Sequence, residues 1–402
     1  MRQSRRQPRH RWQAVLALLL AALVVLAGCG SGGQPAGGGG GGQGGEAGSG
    51  SGGESASDSG AAPQGGTIKI GMVLAMTGAG SFYGQVMSRG AQTAVDQINE
   101  QGGVEGYTLE LVIEDHKSGD ANAALTGGRK LLDVDQVPVI LSSYTAPPLA
   151  IQPLAVEKGV LLFNGGGIGE DLIGKEALYN TRMLGTQIMP AVVRWAAEEQ
   201  GAKRFATIFW NDAAGQSINQ VVKDVCAEVG CEVVAEEPHD IGATNYSAQL
   251  ARVKAANPDA IVIGSYGNDV GYIVNQARAQ GINALIMGNE WSPDIQQIGG
   301  AAMEGYVAGI DRFEPNADFE LTRAFVEDYQ AKYNELPEFY AANYYEITRF
   351  ILPELIRDAV QAGKDPASQG PLLGAMQAAV AEGREFDSVY GGKMKLLEDG
   401  TI

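Results

Sequence analysis

Histidine is nearly absent from this chain: there are three in 402 residues, and only His116 and His239 fall outside the basic N-terminal leader. With no paired histidines at ligand spacing and no serine nucleophile elbow, the sequence offers neither a metal centre nor a catalytic nucleophile. His116 follows Glu114 and Asp115 at the end of an apolar run, where a solvated loop residue is expected rather than a general base. Cysteine is equally scarce, with Cys29, Cys226 and Cys231 alone, and the spacing of the last two to His239 fits no usual zinc pattern. Basic residues are outnumbered by acidic ones, 29 to 47, for a formal charge of −18. Beyond the leader no Lys/Arg cluster exists to hold a phosphate backbone, so nucleic acid is excluded as a partner and the acidic surface reads as a device for solubility. No metal, no cofactor and no enzymatic activity are expected.

What is present begins with a secretion signal. Arg2, Arg5, Arg6, Arg9 and Arg11 precede the apolar run Val15 to Leu26, which is shorter than the ~20 residues of a membrane span. The run ends at Leu26-Ala27-Gly28-Cys29, which looks like a bacterial lipobox. That resemblance implies removal of residues 1–28 and acylation of Cys29. Residues 29–66 are then a tether of Gly, Ser, Gln and Ala, too poor in apolar groups to repay the entropy of ordering.

From Thr67 onward, short apolar runs alternate with helical stripes. Ile68 to Leu74, Leu109 to Ile113, Val137 to Leu141 and Val160 to Phe163 read as buried parallel strands. Met87, Ala91, Ala94, Val95 and Ile98 recur at helical spacing between the first two, and Gly102-Gly103 ends the stripe, which makes a βαβ unit. The rhythm restarts with Phe205 to Trp210, Val233-Val234, Ala260 to Ile263 and Leu285 to Met287. Helical stretches at Phe319 to Tyr333, Tyr340 to Ala362 and Leu372 to Ala381 follow, then a hairpin containing Met394 to Leu397. The reading is an α/β fold of two lobes, each a mostly parallel sheet flanked by helices. Residues 67–186 plus 311–402 are assigned to the first lobe, and residues 187–310 to the second.

Local features leave alternatives open. The run Asn164 to Gly169 fails the dinucleotide spacing at Glu170 and Leu172; it is either an anion-receiving nest of backbone amides or a plain turn. Cys226 and Cys231 flank a helix-to-strand turn and either form a local disulfide or remain two buried thiols. Tyr83, Tyr144, Tyr266 and Trp291 stand near strand ends, where ligands of open α/β sheets bind.

Several motifs together carry a specific resemblance. Ile68-Lys69-Ile70-Gly71, Met76-Thr77-Gly78, Tyr83-Gly84, Arg89-Gly90-Ala91 and Ile98-Asn99 through Gly102-Gly103-Val104 form the opening. Ala146 to Pro153, Gly242-Ala243-Thr244, Asn257-Pro258-Asp259-Ala260 and Gln276-Ala277-Arg278 follow in order. The chain resembles the leucine/isoleucine/valine-binding protein family of ABC importers. The resemblance implies a clamp of two lobes outside the cytoplasm, held to the membrane by its lipid, delivering a small solute to an ABC permease. The same clamp could present its ligand to a signalling receptor instead.

Carried over by motif position, the resemblance implies that a ligand carboxylate meets Thr145, beside Ala146 and Ile168, and the Gly166-Gly167 turn. Tyr266 and Glu290 would face its amino group, with Tyr83 lining the side-chain pocket and Trp291 reshaping it. Ala214 stands where amino-acid binders carry a tyrosine, and Ile168 where threonine is common. The solute is therefore left open among amino acids, aromatic acids and amides such as urea. The chain ends at Gly400-Thr401-Ile402, where the resemblance implies one more strand; either the last crossover is absent or the sequence is truncated.

Overall fold

The computed structural model describes residues 65–402; the leader, Cys29 and the tether lie outside them. In chain order the first part comprises β1 (Gly66–Leu74), α1 (Ser81–Glu100), β2 (Tyr107–Asp115), α2 (Ala121–Arg129), β3 (Val139–Ser142), α3 (Ala146–Lys158), β4 (Leu161–Asn164) and β5 (Leu178–Asn180). The five strands make one sheet, ordered β2-β1-β3-β4-β5, with every pairing parallel. β3 and β4 are buried at every residue because helices cover both faces, which is why they read in sequence as unbroken apolar runs.

A second sheet repeats the plan. It is built from α4 (Gly185–Arg194), β6 (Arg204–Trp210), α5 (Ala213–Val229), β7 (Glu232–His239), α6 (Ser247–Ala256), β8 (Ala260–Gly264), α7 (Asn268–Ala279), β9 (Leu285–Gly288), α8 (Pro293–Gly299) and β10 (Val307–Ala308). Its order, β7-β6-β8-β9-β10, is the same permutation, again parallel throughout. In each sheet the order reverses beside the first strand, and the crevice beyond the strands' carboxyl ends at such a reversal is where α/β folds hold ligands.

The chain then returns to the first lobe. α9 (Glu320–Tyr333), α10 (Phe339–Glu346), α11 (Leu352–Gln361), α12 (Pro371–Ala381) and the antiparallel hairpin of β11 (Glu385–Ser388) and β12 (Gly392–Lys395) complete it. Phe325, Tyr344, Ile351, Leu372 and Phe386 share one buried cluster with Ile70, Met72 and Phe163 of the first sheet. Gly90 lets α10 come this close: a Cβ there would stand 2.0 Å from the Ala341 carbonyl oxygen. The final residues lie along β5, where the Asn180 amide donates to the Gly400 carbonyl at 2.6 Å.

Two segments join the lobes among the described residues, one between Asn180 and Gly185 and one after Ala308. β5 and β10, three and two residues long, precede these segments, and their brevity hides them from periodicity.

Candidate functional site

Where the carboxyl ends of the two sheets face each other they enclose a small cavity lined from both lobes. Of the residues singled out in the sequence, Tyr83, Thr145, Gly166, Gly167, Ile168 and Tyr266 line it, as do Tyr144 and Ala214. Ala146 opens α3 and is not in the lining. Trp291 is 40% exposed and also lies outside, and Glu290, though fully buried, is not in the lining either. Met87, Trp210, Asp212 and Tyr340 line the cavity as well, and sequence reasoning passed over them.

The lobes are shut. The Gly267 amide of the second lobe donates to Tyr83 Oη of the first at 3.1 Å. Tyr340 Oη, also from the first lobe, donates to Glu290 Oε2 at 2.7 Å. Glu290 is fully buried behind Tyr340, and its Oε1 has no hydrogen-bond partner. Burial pushes its carboxyl up to about 7, against the opposing pull of the Tyr340 hydroxyl and the Arg182 guanidinium. Tyr266 Oη is likewise buried and unpartnered, and burial drives its phenol well above the ordinary tyrosine value.

The glycine turn after β4 is arranged differently from the resemblance's implication. Asn164 Oδ1 accepts from the Gly167 amide at 2.6 Å and the Gly166 amide at 3.3 Å. Asn164 Nδ2 donates to the Gly167 carbonyl at 2.8 Å and Asn180 Oδ1 at 2.9 Å. The asparagine side chain thus closes the turn on itself, as Asx residues do, and the two amides point into the turn. Thr145 Oγ1 accepts from the Gly169 amide at 3.1 Å, which leaves its hydroxyl hydrogen available to another acceptor.

Both histidines are buried, and each pairs with a serine. His116 is fully buried rather than solvated: its Nδ1 accepts from the Gly119 amide at 3.0 Å, so Nε2–H donates to Ser143 Oγ at 2.9 Å. Burial lowers its imidazole to about 4, keeping it neutral. In the second lobe His239 Nδ1–H donates to the Asp240 carbonyl at 2.9 Å, and Nε2 accepts from Ser265 Oγ at 2.7 Å. Each serine is followed at once by a cavity tyrosine, Tyr144 or Tyr266. Tyr144 adopts a positive φ of 63°, a strained conformation for a bulky residue, with its ring edge-on to His116 at 5.0 Å.

The periplasmic binding protein family model matches residues 67–402. The chain belongs to that family. Over 273 residues it is 28% identical to the leucine-, isoleucine-, valine-, threonine- and alanine-binding protein of Pseudomonas aeruginosa, covering 66% of this chain and 72% of the relative. A crystal structure of a leucine-binding protein from Thermotoga maritima superposes with a TM-score of 0.73 at 25% identity, over 83% of this chain and 92% of the other. The branched-chain amino acid transporter substrate-binding protein of Streptococcus pneumoniae, solved with isoleucine, gives 0.71 at 25% identity, over 83% and 93%. The family likeness read from the opening motifs and the α/β fold of two lobes are both borne out.

In this periplasmic binding protein, Cys226 and Cys231 are bonded across the turn from α5 to β7, with their Cα atoms 4.5 Å apart. Gly230, between them, takes the left-handed conformation that ends the helix. Neither cysteine lines the cavity; Cys226 packs in a buried cluster of the second sheet.

Proposed function

We propose that this chain is the extracytoplasmic solute receptor of an ABC importer, anchored by lipid on Cys29, which captures an amino acid or a related small solute between its closing lobes. The observation that carries the reading is the cavity between the lobes, lined from both sheets at the carboxyl ends of their strands. A solute that touches both lobes makes its full set of contacts only when the clamp is shut, so binding favours the closed form. The permease then recognises that form. Delivery to a signalling receptor would use the same clamp; co-purification of the full chain from membranes with a permease and ATPase, or with a histidine kinase, separates the two.

The test is a thermal-shift screen of the full chain against amino acids, aromatic acids, amides and urea, with the best hit recovered and checked for chemical change. A ligand bound only by the folded state raises the melting temperature, by an amount set by its concentration over Kd. Silence from every compound, or a hit recovered as a converted product, would sink the proposal. The anchor is tested separately: Cys29→Ser should move the protein from the membrane fraction to the medium or periplasm.

A further inference from the structure

Five aromatic rings form an unbroken belt around the cavity. Tyr340 meets Tyr83 with centroids 5.1 Å apart, Tyr83 meets Tyr144 at 6.5 Å, Tyr144 stacks on Trp210 at 6.3 Å, and Trp210 meets Tyr266 at 5.0 Å. The belt crosses from the first lobe to the second at the Tyr144–Trp210 stack. Aromatic faces carry partial negative charge and attract cations, most strongly when water is excluded.

The ionisable groups point the same way. Asp212 lines the cavity; its Oδ1 caps α5 by accepting from the Gly215 amide at 2.9 Å. Glu290 lies just behind Tyr340 with Oε1 unpartnered, and the Tyr266 hydroxyl is free to accept. No lysine, arginine or histidine is among the described residues of the lining. The Arg182 guanidinium is not in the lining: Nη1 donates to the Gly166 carbonyl and Tyr340 Oη, and Nη2 lies against Asp311, while Nε and Nη2 have no hydrogen-bond acceptor. The Gly166 and Gly167 amides, which would otherwise receive a carboxylate, are taken by Asn164. The side chains that line the cavity thus offer an anion no charged partner, whereas they offer a cationic nitrogen the Asp212 carboxyl and five ring faces.

Resting on the solute-receptor reading, we infer that the solute is an organic cation: an aromatic belt with Asp212 and Glu290 recognises its cationic nitrogen, and a ligand carboxylate is dispensable. The aromatic acids kept open by the sequence are then the wrong sign, and amino acids bind through their ammonium and side chain.

The experiment compares hydrocarbon-matched probes on the full chain by isothermal titration calorimetry. One set is isopentylamine, leucine and isocaproate, a second is phenethylamine, phenylalanine and hydrocinnamate, and choline supplies a quaternary ammonium. The expected result is that at least one amine or choline binds as tightly as, or more tightly than, its zwitterion, with the matched carboxylate weaker by about a hundredfold or more, the scale of a buried charge contact. Asp212→Asn and Glu290→Gln, which keep shape, should each weaken the cation about tenfold or more while the melting temperature of the free protein stays level or rises. A carboxylate binding as well as the amine, or a zwitterion binding where every amine and choline is silent, overturns the inference while leaving the solute-receptor reading standing. Silence from all probes and from the wider screen overturns both.

Discussion

Arg182 and Asp311 pair across the two segments that join the lobes: Nη2 and Oδ2 are 3.1 Å apart, with the arginine side chain fully buried and Asp311 8% exposed. The charges are in contact without the alignment of a hydrogen bond. The other nitrogen, Nη1, donates to the Gly166 carbonyl and to Tyr340 Oη, both at 3.0 Å, and Tyr340 in turn donates to Glu290. One buried network therefore runs from the hinge to the cleft, so the state of the hinge and the state of Glu290 are coupled.

Breaking this network at its centre should be expensive. Arg182→Met leaves Asp311 and Glu290 without their shared cation, and removing one member of a buried pair costs about 3–5 kcal/mol. Adding Asp311→Leu should restore much of the loss, because no charge is then left buried alone at the hinge. Urea unfolding of the full chain reads both; a single variant within about 1 kcal/mol of wild type would show that the pair carries little.

The raised carboxyls give the unliganded protein a pH dependence of definite sign. Glu290 and Glu346 stand at about 7 and Glu338 at about 8, each raised chiefly by burial above the ordinary 4.5. A carboxyl raised in the folded state contributes stability that is complete below pH 4.5 and lost as pH climbs through 7 to 8, each tenfold gain in proton affinity being worth about 1.4 kcal/mol. The melting temperature of the free protein should therefore fall between about pH 5 and 8, and Glu290→Gln should flatten the slope. Cation binding should run the other way, strengthening as pH rises through about 7, because the ionised Glu290 is the form that holds it. A free protein more stable at about pH 8 than at about pH 5 would refute the assignment.

His116 contributes with the opposite sign. Its imidazole is lowered to about 4 by burial, so its share of stability is present above 6.5 and disappears as pH falls through 4. Ser143→Ala and Ser265→Ala each leave a buried histidine nitrogen unpaired, at a cost of about 1–3 kcal/mol. Both should also weaken the best ligand, because Tyr144 and Tyr266 directly follow the altered residues. Variants that melt lower but bind as wild type would reduce the serines to a purely structural role.

Much of this molecule is legible in its sequence for a simple reason. Strands buried on both faces, such as Ala260 to Ile263, have no polar residues to break the run, and helices such as Ser81–Glu100 show one apolar stripe each. Tyr83, Thr145 and Tyr266 could be found because they follow strands inside recognisable motifs. Tyr340 could not, since it reaches the cavity from a helix that returns to the first lobe far along the chain. Trp210 reads as the end of a core strand, and Asp212 as the helix cap that it also is. His116 misleads because its charged neighbours suggest solvent, while its burial comes from Ser143 and Tyr144, brought in by the adjacent part of the sheet.

Tyr83 and Trp291 differ in what they contact. Tyr83 Oη accepts the Gly267 amide across the lobes, so Tyr83→Phe leaves a buried N–H of the closed form without a partner. That loss, about 1–2 kcal/mol, belongs to closure alone, because in the open form water serves the amide. Affinity for the best ligand should drop roughly five- to thirtyfold, and small-angle scattering of the unliganded variant should show a larger radius of gyration than wild type. Trp291, at 40% exposed and outside the cavity, makes no such contact, and Trp291→Ala should leave affinity within about twofold. If Trp291→Ala instead abolishes binding while Tyr83→Phe does nothing, the solute enters from the Trp291 side and the belt around Tyr83 is not its seat.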